Sequence, residues 1–330
     1  MTVEEILSEF PKRSALIVGD ICLDRWCRYS PDAAEPSRET GIPRIAVVST
    51  VVTPGAGGTV ANNLAALGAG RVAVLGATGD DGYGLELVRE LEQRGIDATM
   101  LQRSPLISTF TYTKLINAIT GAEDLPRVDH IAIRPLPEVL EHALIERLRA
   151  CAPSFDVILV ADQAETDSGG VVTPAVRDAL TVIRRDDPSK VVWVDSRRRA
   201  DMYRGVIVKP NEEEASIASR IAFGFVDFAR LRTWIEAEVL FITLGKRGVL
   251  VVDANNESLI AARDSQAVDI CGAGDAFSAG AAMALQISGS ALVAARVGNL
   301  VASITITKRG TGTATPAEVL AAEKEWSWRS

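Results

Sequence analysis

Short apolar runs alternate along this chain with stretches of helical spacing, and that alternation restricts the fold more than any other feature. The runs occupy residues 14–19, 71–76, 157–160, 191–194 and 239–244, and residues 59–67, 85–94, 137–151 and 173–185 between them have helical spacing. A strand that is apolar throughout, without alternating polar positions, is buried on both faces, which is the situation of a parallel sheet covered by helices. The expected fold class is therefore α/β, with a Rossmann-like, mostly parallel central sheet flanked by helices in a single domain over residues 1–330. Open sheets of this kind bind ligands at the carboxyl ends of their strands. The run at 14–19 delivers Asp20 there, with Asp24 shortly after, while later runs deliver Asp162 and Asp195. Acids at that edge can hydrogen-bond a polyhydroxylated ligand or simply cap the turns.

Two segments break the alternation. Residues 42–53 are rich in Val, Ile and Thr without helical period, and Ser108-Thr-Phe-Thr-Tyr-Thr-Lys-Leu-Ile-Asn117 alternates Thr with larger residues. Both read as strands, the second with one solvated face, and together they predict a small separate sheet built from about 42–53 and 108–130. Residues 25–41 read as irregular.

The chemistry concentrates in Asp269-Ile-Cys-Gly-Ala-Gly-Asp-Ala-Phe-Ser-Ala-Gly280. Glycines at 272 and 274 permit a tight turn and close backbone approach, and a helical run over 276–286 follows. The first amides of a helix lack partners of their own and favour anions. A carboxylate at Asp275, inside a turn suited to anions, is repelled by them unless it does chemical work, and a base beside a phosphate fits that position. The alternative is an Asp N-cap on an ordinary loop. Other turns carry similar signals. Pro54-Gly-Ala-Gly-Gly58 precedes a helix, Asn211 and Glu214 form a capping box after Lys209-Pro210, and Thr243-x-Gly245-x-x-Gly248 follows a strand.

Taken together, these motifs resemble the PfkB, or ribokinase-like, carbohydrate kinases over about residues 16–318, with Asp269-x-x-Gly-Ala-Gly-Asp as the most specific element. No Walker A lysine follows the glycines. The resemblance implies a ribokinase-like fold in which the small sheet is a lid over the sugar and the surface of a homodimer. It implies Asp275 as general base, with the backbone of Gly272, Ala273 and Gly274 stabilising transferred charge. Binding of ATP is implied at Asn211, Glu214, Thr243, Gly245, Gly248, Asn299 and Gly310. Mg²⁺ is expected beside Asn211 and Glu214, largely through water, with an optional monovalent cation near Asp269. The sugar is expected at Asp20, Asp24, Gly57, Gly58 and Asn62, although the register of that glycine motif also allows Thr59, and at Lys114 and Arg127. Asp-Ile-Cys-Leu-Asp-Arg-Trp at 20–26 and Lys-Pro-Asn at 209–211 are most similar to the heptose 7-phosphate kinase branch. Ile116 stands where that branch has arginine, and Ala164-Glu165 where it has lysine and glycine. Arg197, Arg198 and Arg199 add positive charge after the strand at 191–194. A kinase of a neutral sugar such as ribose or fructose, and a sugar-binding regulator without turnover, are the alternatives.

A net charge of −8 argues against general affinity for nucleic acid or anionic membrane, so the partners expected are a small sugar or sugar phosphate and ATP. Four cysteines without Cys-x-x-Cys spacing and two histidines give no zinc pattern. Residues 277–295 carry no charge, but their Ala, Gly and Ser content and the Ser288-Gly-Ser290 break predict two buried helices, not a membrane span. The opening residues are charged where a signal peptide needs an apolar core, so the expected location is cytoplasmic. A nicotinamide enzyme is disfavoured because Val18-Gly-Asp-Ile-Cys22 lacks Gly-x-Gly-x-x-Gly.

Overall fold

The structure, a computed structural model, describes residues 1–327. Its strands are β1 (Ser14–Gly19), β2 (Ile21–Tyr29), β3 (Val47–Ala56), β4 (Arg71–Gly79), β5 (Asp97–Ser104), β6 (Thr111–Asn117), β7 (Val157–Asp162), β8 (Val191–Ser196), β9 (Ile207–Val208), β10 (Leu240–Thr243), β11 (Val249–Val252) and β12 (Glu257–Ile260). The helices are α1 (Val3–Glu9), α2 (Gly57–Ala66), α3 (Gly82–Gln93), α4 (Glu138–Cys151), α5 (Pro174–Asp186), α6 (Glu212–Phe223), α7 (Phe228–Trp234), α8 (Ala273–Ser288), α9 (Ala291–Thr305) and α10 (Pro316–Ser327).

Nine strands form the central sheet in the order β12-β11-β10-β9-β8-β7-β1-β4-β5, parallel except where β11 and β12 turn back. The two-residue alternation of strand side chains divides the apolar runs between two cores. From β1, Ala15 and Ile17 join the core under α1, α2, α8 and α9, whereas Leu16 and Val18 join the one under α4 and α5. The uncharged stretch resolves into α8 and α9 packed closely together. A methyl at Gly280 would lie 2.8 Å from Val301, and one at Gly298 would lie 2.7 Å from the Phe277 ring, so glycine sets that contact distance. No helix among the described residues is long and apolar enough to cross a membrane.

A second sheet of three strands, ordered β3-β2-β6, stands apart. Its middle strand, β2, was not anticipated, because Asp24, Arg25 and Arg28 disguise it as a polar connection. It is reached through one residue: β1 ends at Gly19, with φ of 126°, and β2 begins at Ile21. Accordingly, the small sheet draws on three segments, with Ile21–Tyr29 added to the two expected. β3 begins later than expected, at Val47, and runs on through Pro54 to Ala56, which is permissible because it is an edge strand. In β6 the threonines are the buried set, and Tyr112 and Lys114 take the other face.

The arginine triplet also divides. Arg199 is 3% exposed and ion-paired with buried Asp162, which further accepts from Ser196 Oγ at 2.7 Å and Tyr203 OH at 2.8 Å. Arg198 points outward to Asp167 and the Glu165 carbonyl. Removing one member of a buried pair strands the other charge, whereas trimming an exposed side chain is nearly neutral. Arg199→Ala is therefore expected to lower unfolding free energy by about 3–5 kcal/mol, and Arg198→Ala by no more than about 0.5 kcal/mol, as read by urea denaturation.

Candidate active site

A cavity of about 190 Å³ lies between the small sheet and the carboxyl edge of the central sheet. The small sheet contributes Asp24, Trp26, Tyr112 and Lys114, and pairing of Asp24 with Tyr112 and of Trp26 with Lys114 puts these four side by side. Opposite them are Thr59, Gln163, Arg197, Gly272, Asp275 and Thr311 from the core.

Asp275 sits in the first turn of α8, which the left-handed Gly272 (φ 76°) initiates. A side chain at Gly272 would press on Thr59 and Thr311 at 3.1 and 3.3 Å, so a glycine serves both the conformation and the space. The amides of Gly274 and Asp275 meet no acceptor among the described residues, leaving two donors at the positive end of the helix. Among the described residues the Asp275 carboxylate also accepts no hydrogen bond, and it lines the cavity. Burial pushes its pKa up to about 8, and the charges of Asp195 and Asp24 add to this while Lys209 and Arg197 oppose it. Asp24 is pushed up to about 6, again chiefly by burial. Its carboxylate fills the space beside Gly55, where a methyl would come within 2.3 Å.

Beyond Asp275 lies a pair that the motifs did not single out. Lys209 is 3% exposed and its Nζ is 2.8 Å from Asp195 Oδ2. Burial lowers the lysine pKa, but the surrounding charges of Asp195, Glu214 and Asp275 more than offset this and leave it raised. The ammonium stands 3.3 Å from where a Cβ would be on Gly274, so the glycine opens the turn directly onto it. Ser278 Oγ reaches Asp195 from α8 at 3.4 Å. A strand ending in Asp and the Lys before Pro210 are both visible in the sequence, but their meeting requires β8 and β9 to be neighbours.

On the far side of Lys209, Asn211 caps α6, with reciprocal bonds of 2.9 and 2.7 Å between it and Glu214, and it bridges to Thr243 on the adjacent strand. Burial and then the Asp195 charge hold Glu214 above the ordinary carboxylate range. Once ionised, the three acids outnumber Lys209 and Arg197, the cations whose charges act on them, which leaves negative charge in excess. The described residues hold no cluster of three or more His, Cys, Asp or Glu side chains that could hold a metal ion. Excess negative charge with few direct ligands suits Mg²⁺, which keeps several waters and binds substrate phosphates alongside one or two carboxylates. Gly245 and Gly248 adopt φ of 59° and 104° around a tight turn, and any side chain at Gly248 would collide with the Ile260 carbonyl.

Several expected residues are placed elsewhere. Asp20 is 4% exposed, does not reach the cavity, and accepts from the amides of Gln163 at 2.9 Å and Val171 at 2.8 Å. Gly57 and Gly58 lie behind the cavity wall, where side chains would strike Ile21 and Pro54, both at 2.6 Å. Ala56 and Thr59 line the cavity in their stead, Ala56 with a strained φ of 51°, and Asn62 does not line it. Of the two registers, the wall follows Thr59. Asn299 is committed to the carbonyls of Ile260 and Ala261, both at 3.1 Å, and so anchors the end of β12. Asp269 accepts from Cys271 N at 2.9 Å and Gly310 N at 3.1 Å, tying the loop at 310 to the Gly272 turn. Lys114 and Arg127 do reach the cavity, joined by Arg25, and of the arginine triplet only Arg197 does.

The family model for pfkB family carbohydrate kinases matches residues 32–318. Bifunctional protein HldE of Trichlorobacter lovleyi is 31% identical over 332 residues, covering 97% of this chain and 65% of its own length. The same-named protein of Geotalea uraniireducens is 30% identical, with 97% and 64% covered. The chain thus spans about two thirds of the length of these curated relatives. Among solved structures, a ribokinase from Thermotoga maritima superposes with a TM-score of 0.69 at 20% identity, covering 94% of this chain and 99% of its own. Phosphofructokinase-2 from Escherichia coli, in complex with potassium, gives 0.70 at 17% identity, with 96% and 99% covered. These two likenesses show a ribokinase-like fold.

The raised pKa of Asp275 has a consequence for stability. Folded, it holds its proton up to about pH 8; unfolded, only to about pH 4. Between those limits the folded state binds more protons, so stability falls as pH rises. Asp20 and Asp24, both raised to about 6, act in the same direction. Asp275→Asn removes one such group, so its melting temperature should gain on that of the parent as pH climbs from about 5 to about 9. Scanning calorimetry over that range tests this, and a constant difference would contradict the assignment.

Proposed function

As a member of the PfkB family of carbohydrate kinases this chain is a phosphotransferase acting on a sugar hydroxyl, and we propose that Asp275 is its general base and that its acceptor already bears an anionic group. The observation that carries the first part is the position of Asp275: an unpaired carboxylate between the cavity and two free amides at the start of α8. A sugar hydroxyl in the cavity would give its proton to this carboxylate as its oxygen attacks the γ-phosphorus of ATP, with the γ–β bond breaking and ADP leaving. The free amides of Gly274 and Asp275, with Lys209 beside them, meet the charge that spreads over the transferred group. Mg²⁺, when bound, neutralises phosphate charge, and Glu214 with Asn211 would hold it largely through water. Asp24, which lines the cavity from the facing sheet, would orient acceptor hydroxyls.

The second part rests on Arg25, Lys114, Arg127 and Arg197, all on the cavity wall. Guanidinium groups pair with two phosphate oxygens at once, and such a group of them in a chain of charge −8 is suited to a sugar phosphate. Similarity to the heptose 7-phosphate kinase branch and to HldE makes heptose 7-phosphate the first acceptor to test. A neutral-sugar kinase is the second reading, favoured by the acid beside three of those cations: Glu123 at 3.7 Å from Lys114, Asp129 at 3.1 Å from Arg127 and Glu165 at 3.0 Å from Arg197.

ADP release with ATP and Mg²⁺ over matched sugars and sugar phosphates tests both parts. Heptose 7-phosphate should be preferred over its dephosphorylated form. Asp275→Asn should keep ATP affinity and lose at least about a hundredfold in kcat, and in the parent kcat/KM should rise with pH towards about 8. Preference for the neutral sugar refutes the anionic acceptor; a fully active Asn variant refutes the base.

We also propose a homodimer through the small sheet. A three-stranded sheet is marginal in isolation, and Val47, Val48 and Val51 are exposed on its edge strand β3. Light scattering at micromolar concentration should give twice the chain mass, and a monomer mass would exclude it.

A further inference from the structure

Glu165 stands out among the acids near the cavity. Its Oε1 accepts from Arg197 Nη1 at 3.0 Å and from Tyr112 OH at 3.1 Å, and those two donors are themselves 3.2 Å apart. Both donors line the cavity, and the Arg127 guanidinium stacks on the Tyr112 ring at 4.7 Å. One carboxylate oxygen is thus held by two cavity donors, as a phosphate oxygen would be. The other Glu165 oxygen meets no donor among the described residues. The remaining acids differ. Glu123 approaches Lys114 only at 3.7 Å, and Asp129, although close to Arg127, has its other oxygen fixed by the Thr113 amide at 2.8 Å. Those two acids follow β6 in sequence and brace the small sheet from its own side.

Glu165 comes instead from the loop after β7 and reaches across to β6. That loop is pinned at its ends, by Asp20 to the amides of Gln163 and Val171, and Arg199 reaches the Gly169 carbonyl. Between these anchors, and among the described residues, the Glu165 backbone is held only by exposed Arg198, at 3.0 Å from its carbonyl.

We infer that Glu165 is a specificity-determining residue that acts as an internal counter-anion, occupying the donors on Arg197 and Tyr112 that an anionic group of the acceptor must take over. This rests on the reading of the acceptor as a sugar phosphate. A half-exposed ion pair is weak, and a phosphate dianion offers the same donors more charge and more oxygens. Exchange therefore proceeds, but at a cost in affinity that a neutral acceptor, needing neither donor, does not meet. The carboxylate sets a threshold of charge for entry, which is discrimination by an opposing group in place of an added attraction.

Glu165→Gln keeps an acceptor oxygen and removes the charge, so it separates charge from geometry. Affinity for inorganic phosphate, by calorimetry, should rise about fivefold, and KM for the sugar phosphate should fall by the same factor. KM for a neutral sugar should stay within about twofold. In an Arg197→Ala background the substitution should change nothing, because the donor it frees is gone. Weaker phosphate binding in the Gln variant would mean that Glu165 positions Arg197, and the inference would be overturned. An equal shift for the neutral sugar, or a full effect without Arg197, would overturn it too. If no sugar phosphate is a substrate, the reading of the acceptor fails, and the phosphate titration still decides on Glu165.

Discussion

One residue, Asp20, separates β1 of the central sheet from the middle strand of the small one, and the geometry of the cavity depends on how it is held. It is buried, its own amide donates to the Ala161 carbonyl at 2.9 Å, and its carbonyl accepts from Gly57 at 3.0 Å. Its carboxylate takes the amides of Gln163 and Val171, so strand, helix and loop meet on it. A buried carboxylate is costly unless hydrogen-bonded. Here the hydrogen bonds also define where β2 departs from the core, and hence where Asp24 and Trp26 lie relative to Asp275. Glu165 hangs from the loop that the same carboxylate pins.

Charge has a gradient across the site. At the α8 end, Asp195, Glu214 and Asp275 face a single buried lysine, and desolvation together with mutual repulsion raises the pKa of two of these acids. At the other end arginines and a lysine dominate the wall, Lys114 and Arg127 with Arg197 facing them from the core, each of these three with an acid beside it. An acid-rich end accommodates cations and the phosphates they accompany, and a base-rich end accommodates anionic groups directly. Asp275 lies on the boundary, where a carboxylate can be both desolvated and reachable.

Much of this was legible in the sequence where a local rule suffices. The run at 14–19 coincides with β1, and Asn211 with Glu214 form the capping box their spacing implies. The turn at 272–275 opens a helix with Asp275 in its first turn. What could not be read depends on neighbours remote in the chain. β2 is strand because β3 and β6 pair with it, despite Asp24, Arg25 and Arg28. Asp20 looks like a ligand residue until the loop after β7 is seen to claim it. Asn299 likewise looks available until β12, which carries little apolar pattern, presents its carbonyls. Thr59 and Asn62 are about one helical turn apart, and Thr59, whose hydroxyl donates to the Pro54 carbonyl at 3.3 Å, is the one that lines the cavity. Lys209 and Asp195 become partners solely through strand order.

The cavity is assembled from two sheets, and this has an evolutionary consequence. The residues that would meet the acceptor, Asp24, Trp26, Tyr112 and Lys114, come from a sheet whose only peptide link to β1 is a single residue. The turn at Gly272 to Asp275 and the neighbouring Lys209 belong to α8 and the central sheet. Drift in the small sheet can thus retune the preferred acceptor while the transfer machinery stays unaltered, so descendants of one ancestral chain can diversify by rewriting one wall. The limit on such rewriting is steric: Gly55 must stay small to leave room for the Asp24 carboxylate, because a Cβ there would come within 2.3 Å of it.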